Sequence, residues 1–228
     1  MIDLGQFERE GFAMEPSLLT SAEISELIVL LDAAARHESK RGGVRDVMDL
    51  VPEIHAIAQH ANVRAIVDAI LGPDAFIVRS TLFDKTPEAN WKVPWHQDLT
   101  IAVYKRRDTN GYGPWSMKQD IQHVQPPTEV LARMVTVRVH LDACPATNGA
   151  LRVIPGTHHL GRLNRNHTGN YVDETRAITC AAQAGEALIM RPLLLHASSA
   201  STAPGHRRVL HFDFAIGNLA NSLRWALA

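Results

Sequence analysis

The sequence predicts a mainly β domain with helices at its N-terminal end. Three observations indicate this fold class. Apolar residues repeat at helical spacing over about residues 1–75, strand-like alternation follows over about 76–216, and turns rich in Gly, Pro and Asn separate the alternating segments. With 228 residues the chain suits one large domain with a substantial core, without an internal repeat or a linker.

The first helix is predicted to begin after residue 20. Thr20 and Glu23 form a Thr-x-x-Glu capping box, and the apolar stripe that follows has the spacing i, i+3, i+4, i+7 in Ile24, Leu27, Ile28 and Leu31. We expect this helix to fade over 36–39. A second helical region is predicted over 52–71, with Asn62 capping its latter part.

Alternating polar and apolar residues predict strands in the second part of the chain. The predicted strands are Phe76–Lys85, Met134–Asp142, Glu186–His196 and Arg207–Ile216. Two of them carry an unusually polar second face, formed by Thr136, Arg138, His140, Arg207, His211 and Asp213. A barrel with helices outside and a polar mouth fits this pattern, and an antiparallel sheet with one solvent-facing side fits it equally well.

Two long segments, 103–130 and 156–176, contain many Gly, Pro and Asn residues and are predicted to be irregular. Long loops in a compact domain are usually lids or binding loops, or else mobile surface segments. In the first loop Tyr112, Trp115 and Lys118 are candidates for substrate contact, and solvated loop residues around a packed aromatic are the competing interpretation.

Charge and cysteine content narrow the class of protein. The net charge is −1, from 23 basic and 24 acidic residues, which argues against nucleic acid or an anionic membrane as a partner. Two cysteines without CxxC spacing predict buried reduced thiols. We expect no signal peptide and no membrane span, and therefore a cytoplasmic protein that acts on a small molecule.

Two histidines and one aspartate have a spacing that predicts a non-haem iron centre. His96 and Asp98 flank Gln97, and residues i and i+2 of a strand point to the same side, so both can reach one metal. His196 lies further along the chain, and Arg207 follows it by 11 residues. Two imidazoles and a carboxylate leave open positions on Fe(II), and an arginine fork suits a carboxylate. The pattern predicts a site for 2-oxoglutarate and oxygen.

The residues alone leave the third ligand open. His196 ends the apolar run 193–195, where an imidazole needs a polar partner, and a hydrogen-bonded core histidine explains it as well as a ligand does. The competing histidines are His140, His158, His159, His167 and His206.

Several motifs occur in a fixed order along most of the chain. They are Gly11-Phe12-Ala13, Trp95-His96-Gln97-Asp98, Val139-His140-Leu141-Asp142, the segment Asn148–His158, Gly185-Glu186-Ala187-Leu188, His196-Ala197-Ser198 and Arg207-Arg208. In this order they resemble the phytanoyl-CoA dioxygenase family of Fe(II)/2-oxoglutarate-dependent oxygenases. The resemblance implies a double-stranded β-helix, which is a cupin-like jelly-roll barrel, with the N-terminal helices packed on it.

The same resemblance implies a role for each residue of the site. His96, Asp98 and His196 are implied as ligands of Fe(II). Arg207 is implied to bind the distal carboxylate of 2-oxoglutarate, with Ser198 assisting. The stretch between His196 and Arg207 lacks the asparagine that the family often has there, so the remaining cosubstrate contacts are not carried over.

The implied reaction is hydroxylation of an aliphatic C–H bond, with O2 consumed and with succinate and CO2 as co-products. Asp98 favours this over halogenation, since chloride would need its coordination position. Adjacent strand residues face opposite sides, so we expect Arg207 in the site and Arg208 as a surface or interface charge. Two other classes stay open, namely a non-catalytic metal- or ligand-binding jelly roll and a cupin-like metal-dependent isomerase or hydrolase.

Overall fold

The structure is a computed structural model that describes residues 2–35, 43–202 and 205–227. Its helices are α1 (Leu4–Glu10), α2 (Ser21–Ala35), α3 (Val47–Leu50), α4 (Ile54–Ala58), α5 (Ala61–Leu71) and α6 (Thr128–Ala132). Its strands are β1 (Phe12–Glu15), β2 (Val44–Arg45), β3 (Phe76–Lys85), β4 (Val93–His96), β5 (Ile101–Val103), β6 (Trp115–Lys118), β7 (Ile121–Val124), β8 (Met134–His140), β9 (Leu151–Ile154), β10 (Ile178–Cys180), β11 (Ala187–Met190), β12 (Leu195–Ser198) and β13 (Arg207–Ala215).

Three antiparallel sheets build the fold. The large sheet has the order β1-β11-β8-β13-β3-β2, the second sheet β10-β9-β12-β4, and a small third sheet β5-β7-β6. The large and second sheets line one pocket between them. This is the predicted mainly β, jelly-roll-like fold with helices packed on it, although the sheets do not close into a complete barrel.

The outer face of the large sheet forms the main core. Val135, Val137 and Phe212 are fully buried there, in one cluster with apolar residues of α2, α4 and α5. The opposite face of β8 and β13 is polar but also buried, since every residue of both strands is buried. The alternative of a sheet with one solvent-facing side is therefore wrong, and the polar face lines an internal pocket.

The helical predictions hold with two corrections. The capping box is present: the backbone N–H of Thr20 donates to Glu23 Oε2 at 2.7 Å, and that of Glu23 to Thr20 Oγ1 at 3.3 Å. The predicted end of α2 at 36–39 lies outside the described residues. The second helical region is divided into α4 and α5, and the cap of α5 is His60 rather than Asn62, since His60 Nδ1 accepts the backbone N–H of Asn62.

One strand prediction is wrong, and the difference matters for the site. The predicted strand 186–196 is two strands in different sheets, because the chain turns at Arg191–Leu194, where the N–H of Leu194 donates to the carbonyl of Arg191. Pro192 within this turn has no N–H for a ladder. The turn moves His196 onto the second sheet, opposite the large one.

The long loops differ in structure. Segment 103–130 is not irregular throughout, since it contains β6, β7 and the start of α6, whereas 156–176 contains only short 3₁₀ turns. Cys144 and Cys180 are buried and free, as predicted. Within the described ranges, no helix combines the length and the apolar character needed to cross a membrane.

Candidate functional site

A pocket lies between the large sheet and the second sheet. The space within it is about 770 Å³ when the open mouth is included. The second sheet contributes His96, His196 and Ser198 to its lining, and the large sheet contributes Arg138 and Arg207.

The three predicted metal ligands meet at this pocket. His96 at the end of β4 is the register partner of His196 on β12, and Asp98 follows two residues after β4 ends. Asp98 Oδ1 lies 3.8 Å from His96 Nε2, and Asp98 Oδ2 lies 3.7 Å from His196 Nε2. One donor atom from each residue falls within 4.8 Å of the others, and the part of the chain that the structure describes contains no second such cluster.

Hydrogen bonds set the tautomers of both imidazoles. His96 Nδ1 lies 2.9 Å from the carbonyl of Pro94, and His196 Nδ1 lies 2.8 Å from the carbonyl of Leu194. A carbonyl only accepts, so Nδ1 carries the proton in each ring and Nε2 keeps its lone pair. Both lone pairs are on the side of Asp98, which is the arrangement that a divalent metal requires.

Protonation states agree with this donor set. Burial, and then the neighbouring His96, lower the pKa of His196 to about 4. Burial alone would raise the pKa of Asp98, but His196, His96 and Arg79 outweigh it and hold that pKa well below its usual range. At neutral pH, His196 is therefore neutral and Asp98 is a carboxylate, the forms that ligate a metal.

One end of the pocket is cationic and holds Arg207. Its guanidinium is buried, Nη1 donates to the carbonyl of Gly149, and Nε has no hydrogen-bond partner in the described ranges. Ser198 lines the same end, and its hydroxyl donates to the carbonyl of Gly149 at 2.9 Å. Arg207 and Ser198, which is two residues beyond His196 in the sequence, thus lie together at this end.

Lys85 is a residue of this end that sequence reasoning missed. It is 1% exposed, and its Nζ donates to Ser198 Oγ at 2.8 Å and to the carbonyl of Ser199 at 2.6 Å. Burial, and then the charge of Arg207, lower the pKa of Lys85 to about 8. The register explains its position, because Lys85 of β3 is the cross-strand partner of Arg207.

A buried network fixes the facing wall of the pocket. Arg138 Nη1 donates to His211 Nδ1 at 2.7 Å, and the other ring nitrogen of His211 donates to Asp213 Oδ1 at 3.0 Å. Asp213 also accepts from Thr136 Oγ1 at 2.6 Å and pairs with Arg79 at 2.5 Å. The predicted barrel-lining Arg138 does line the pocket, whereas Thr136 acts from behind through Asp213.

Arg208 is not a surface charge, and that prediction is wrong. It is 8% exposed, and its guanidinium binds both carboxylate oxygens of Asp142 at 2.8 Å and reaches Asp32 of α2 at 3.0 Å. Adjacent residues of β13 face opposite sides, so Arg208 ties the large sheet to a helix while Arg207 enters the pocket.

Of the other candidates from the sequence, which are three loop residues and the competing histidines, one loop residue lines the pocket. Lys118 lines the pocket, while Trp115 stacks with Arg106 and Tyr112 packs in a separate apolar cluster. The competing histidines are away from the triad: for example, His206 pairs with Asp84 at 2.8 Å.

Comparison with protein-family models shows which family the chain belongs to. The model of the family described as phytanoyl-CoA dioxygenase (PhyH) matches residues 7–209, which is most of the chain. The chain belongs to the phytanoyl-CoA dioxygenase family. This confirms the resemblance seen in the sequence.

Relatives of this family member are distant. Mouse (Mus musculus) peroxisomal phytanoyl-CoA dioxygenase is 22% identical over 246 residues, covering 91% of this chain and 66% of that protein. The chain thus spans about two thirds of the length of the curated relatives it matches. These relatives are named peroxisomal, and a cytoplasmic location for this chain stays a prediction.

Solved structures share the fold of this family member. The non-heme monooxygenase ThoJ, in its apo form, superimposes with a TM-score of 0.72 at 18% identity, covering 98% of this chain and 79% of that one. The epimerase SnoN, in a complex with Fe3+, alpha ketoglutarate and nogalamycin RO, has a TM-score of 0.71 at 17% identity, covering 93% of this chain and 81% of that one.

Proposed function

We propose that this chain is an Fe(II)/2-oxoglutarate-dependent dioxygenase that hydroxylates an aliphatic C–H bond of a small molecule. One observation carries the proposal: two imidazoles and one carboxylate converge in a pocket whose end, beside His196, holds the buried Arg207. A metal-binding jelly roll, or a metal-dependent hydrolase, does not require a buried arginine positioned beside the metal ligands to bind a carboxylate.

The donor set fits Fe(II). His96, Asp98 and His196 offer two neutral nitrogens and one anionic oxygen, the combination associated with non-haem iron oxygenases. When bound, the iron supplies the activation of O2 that is coupled to oxidative decarboxylation of 2-oxoglutarate and to attack on a C–H bond. The residues of the chain hold this donor set in place through the carbonyls of Pro94 and Leu194.

The cationic end suits a dicarboxylate. Among the described residues Arg207 Nε has no partner, and the hydroxyl of Ser198 can turn from the carbonyl of Gly149 toward a ligand, so both can bind the distal carboxylate of 2-oxoglutarate. Lys85 lies directly behind Ser198 and adds a second positive charge to a region shielded from water. The complex of SnoN with alpha ketoglutarate supports the same cosubstrate on this fold.

The test uses anaerobic titration followed by turnover. Adding 2-oxoglutarate to the Fe(II)-loaded protein should produce a metal-to-ligand charge-transfer band, and oxygen should then give slow succinate formation. Product analysis with a small-molecule substrate that accelerates succinate release should show one added oxygen atom. Absence of the band would contradict the oxygenase, and an epimerised or cyclised product would leave the oxygenase but contradict hydroxylation.

A further inference from the structure

The pocket has a second cationic end that the proposed function leaves unused. Arg45 of β2, Arg79 of β3 and Lys118 at the end of β6 all line it. Two of these side chains meet at Thr100: Lys118 Nζ donates to Thr100 Oγ1 at 3.2 Å, and Arg79 Nη1 contacts the Thr100 carbonyl at 3.5 Å. Three cations from three strands therefore converge on one region of the wall.

This second end lies on the other side of the triad from Arg207. Ser198, two residues after His196, contacts Lys85 of the first end. Thr100, two residues after Asp98, contacts Arg79 of the second end. Residues 79 and 85 are separated by roughly 20 Å along β3, at about 3.3 Å per residue. The metal ligands thus lie between two cationic ends.

The two arginines of the second end are incompletely satisfied. Arg79 pairs with Asp213, yet its Nε is buried without a hydrogen-bond partner in the described ranges. The guanidinium of Arg45 has no hydrogen bond or ion pair to any residue that the structure describes, and burial followed by the charge of Arg79 lowers its pKa. Asp46 lies in electrostatic range of both arginines but, among the same residues, forms an ion pair with neither. Both arginines therefore keep donors that no residue in the described ranges occupies.

A tether holds the second end in place. The side chain of Gln119, next to Lys118, accepts the backbone N–H of Arg45 at 3.2 Å and donates to the carbonyl of Gly43 at 3.1 Å. These two bonds join the β6–β7 hairpin to β2. Arg45 and Lys118 are thus held at a fixed separation, which is what recognition of one charged group requires.

We infer that Arg45, Arg79 and Lys118 bind an anionic group of the substrate, a carboxylate or a phosphate, so that a C–H bond of an anionic molecule is presented to the metal ligands. This inference rests on the proposed function. The chemistry is that of charge-assisted hydrogen bonds from guanidinium and ammonium groups to oxyanions, which are strong in a region shielded from water.

The test measures binding of small anions beside bound cosubstrate. Protein loaded with Mn(II) and saturating 2-oxoglutarate is titrated by calorimetry with butyrate, with inorganic phosphate and with neutral butyramide. We expect saturable binding of at least one of the two anions, which also tells a carboxylate from a phosphate site, and none of butyramide. Binding of butyramide equal to that of butyrate, or no binding of either anion, would overturn the inference.

Variants locate the site. The double variant Arg45→Gln/Lys118→Met should weaken anion binding by about tenfold or more, as expected for lost charge-assisted contacts, and Lys118→Arg should retain it. Arg9→Gln is the matched control, because Arg9 is exposed on α1 and its side chain, among the residues that the structure describes, donates to the carbonyl of Gly5 in its own helix. Circular dichroism confirms folding of each variant. Unchanged anion affinity in the double variant would overturn the inference.

The cosubstrate titration separates this inference from the proposed function. If the double variant weakens 2-oxoglutarate binding as strongly as anion binding, the cations serve the cosubstrate and the inference is wrong. If wild-type Fe(II) protein shows no charge-transfer band, the proposed function fails, while the anion titrations of the metal-loaded protein still decide whether the second end binds an oxyanion.

Discussion

The two walls of the pocket differ in how completely their polar groups are bonded. On the second sheet, His96 and His196 each bond a backbone carbonyl through Nδ1, which orients both rings. On the large sheet, Arg79, Arg138 and Arg207 each have a buried Nε without a partner among the described residues. Under the proposed function, the second sheet holds the metal in a fixed geometry, and the large sheet supplies hydrogen-bond donors to anionic ligands.

The largest expected effect concerns the metal ligands on the side of the second sheet. Asp98→Ala removes the only anion of the triad, so we expect loss of Fe(II) binding and of succinate formation to below detection. Metal content by mass spectrometry and succinate by chromatography measure both. Asp74→Ala, which removes an exposed carboxylate before β3, is the control and should behave as wild type. Full turnover by Asp98→Ala would contradict the assignment of metal binding to this side of the pocket.

Arg207→Ala, on the large sheet, should have the next largest effect. Removing a buried cation that faces a carboxylate costs about 2–5 kcal/mol, so the Kd for 2-oxoglutarate should rise by more than tenfold while metal affinity stays close to that of wild type. The charge-transfer titration measures this Kd.

Arg208→Ala is the matched control for Arg207→Ala, because the two side chains are adjacent and face opposite sides of β13. It should lower the free energy of unfolding by about 1–3 kcal/mol through loss of its bonds to Asp142 and Asp32. At a temperature where it is folded, its 2-oxoglutarate affinity should be that of wild type. The reverse pattern between the two variants would place the wrong arginine in the pocket.

Lys85→Met should raise the Kd for 2-oxoglutarate by about tenfold, as expected for one charge in a shielded site. Binding of 2-oxovalerate, whose tail is uncharged, should change far less, and a purely structural defect would affect both acids alike. Since burial lowers the pKa of Lys85 to about 8, the charge is present below pH 8 and is lost above it. Wild-type affinity should therefore fall as pH rises through 8, and Lys85→Met should lack this fall.

The smallest expected effect is that of Ser198→Ala. The hydroxyl contributes one neutral hydrogen bond, worth about 0.5–1.5 kcal/mol, and Lys85 keeps its bond to the carbonyl of Ser199. The Kd for 2-oxoglutarate should rise only a few-fold by the same titration. An effect as large as that of Arg207→Ala would make Ser198 the main carboxylate partner and Lys85 its support.

Local patterns predicted the fold class, several strands and the pairing of His96 with Asp98, because these are properties of neighbouring residues. The third ligand, His196, was implied by the family resemblance rather than by local pattern. The period of two in β3, β8 and β13 and the capping box of α2 are legible in the chain. The division of segment 186–196 was missed, because it depends on the turn at Arg191–Leu194 and on pairing with two different sheets.

Residues that depend on cross-strand register were also missed. Lys85 precedes the iron motif by several residues, and only its pairing with Arg207 brings it to the cosubstrate end. Arg45 reaches the pocket through its pairing with Thr81, and Arg208 is buried because α2 covers that face. One sequence does not state which strands are neighbours, so these placements needed the three-dimensional arrangement.

Gln97, the middle residue of the iron motif, has a consequence for redesign of this enzyme class. Its side-chain nitrogen donates to the carbonyls of Gly161 and Leu193, at 2.8 Å and 2.6 Å, and its oxygen accepts the N–H of Leu163 at 2.8 Å. The hydrogen bonds of Gln97 therefore connect residues 161–163 to the metal ligands on either side of Gln97. Loop grafting intended to change selectivity should exchange residues after Leu163 and keep 161–163, because a graft that cuts earlier would alter selectivity and iron retention together.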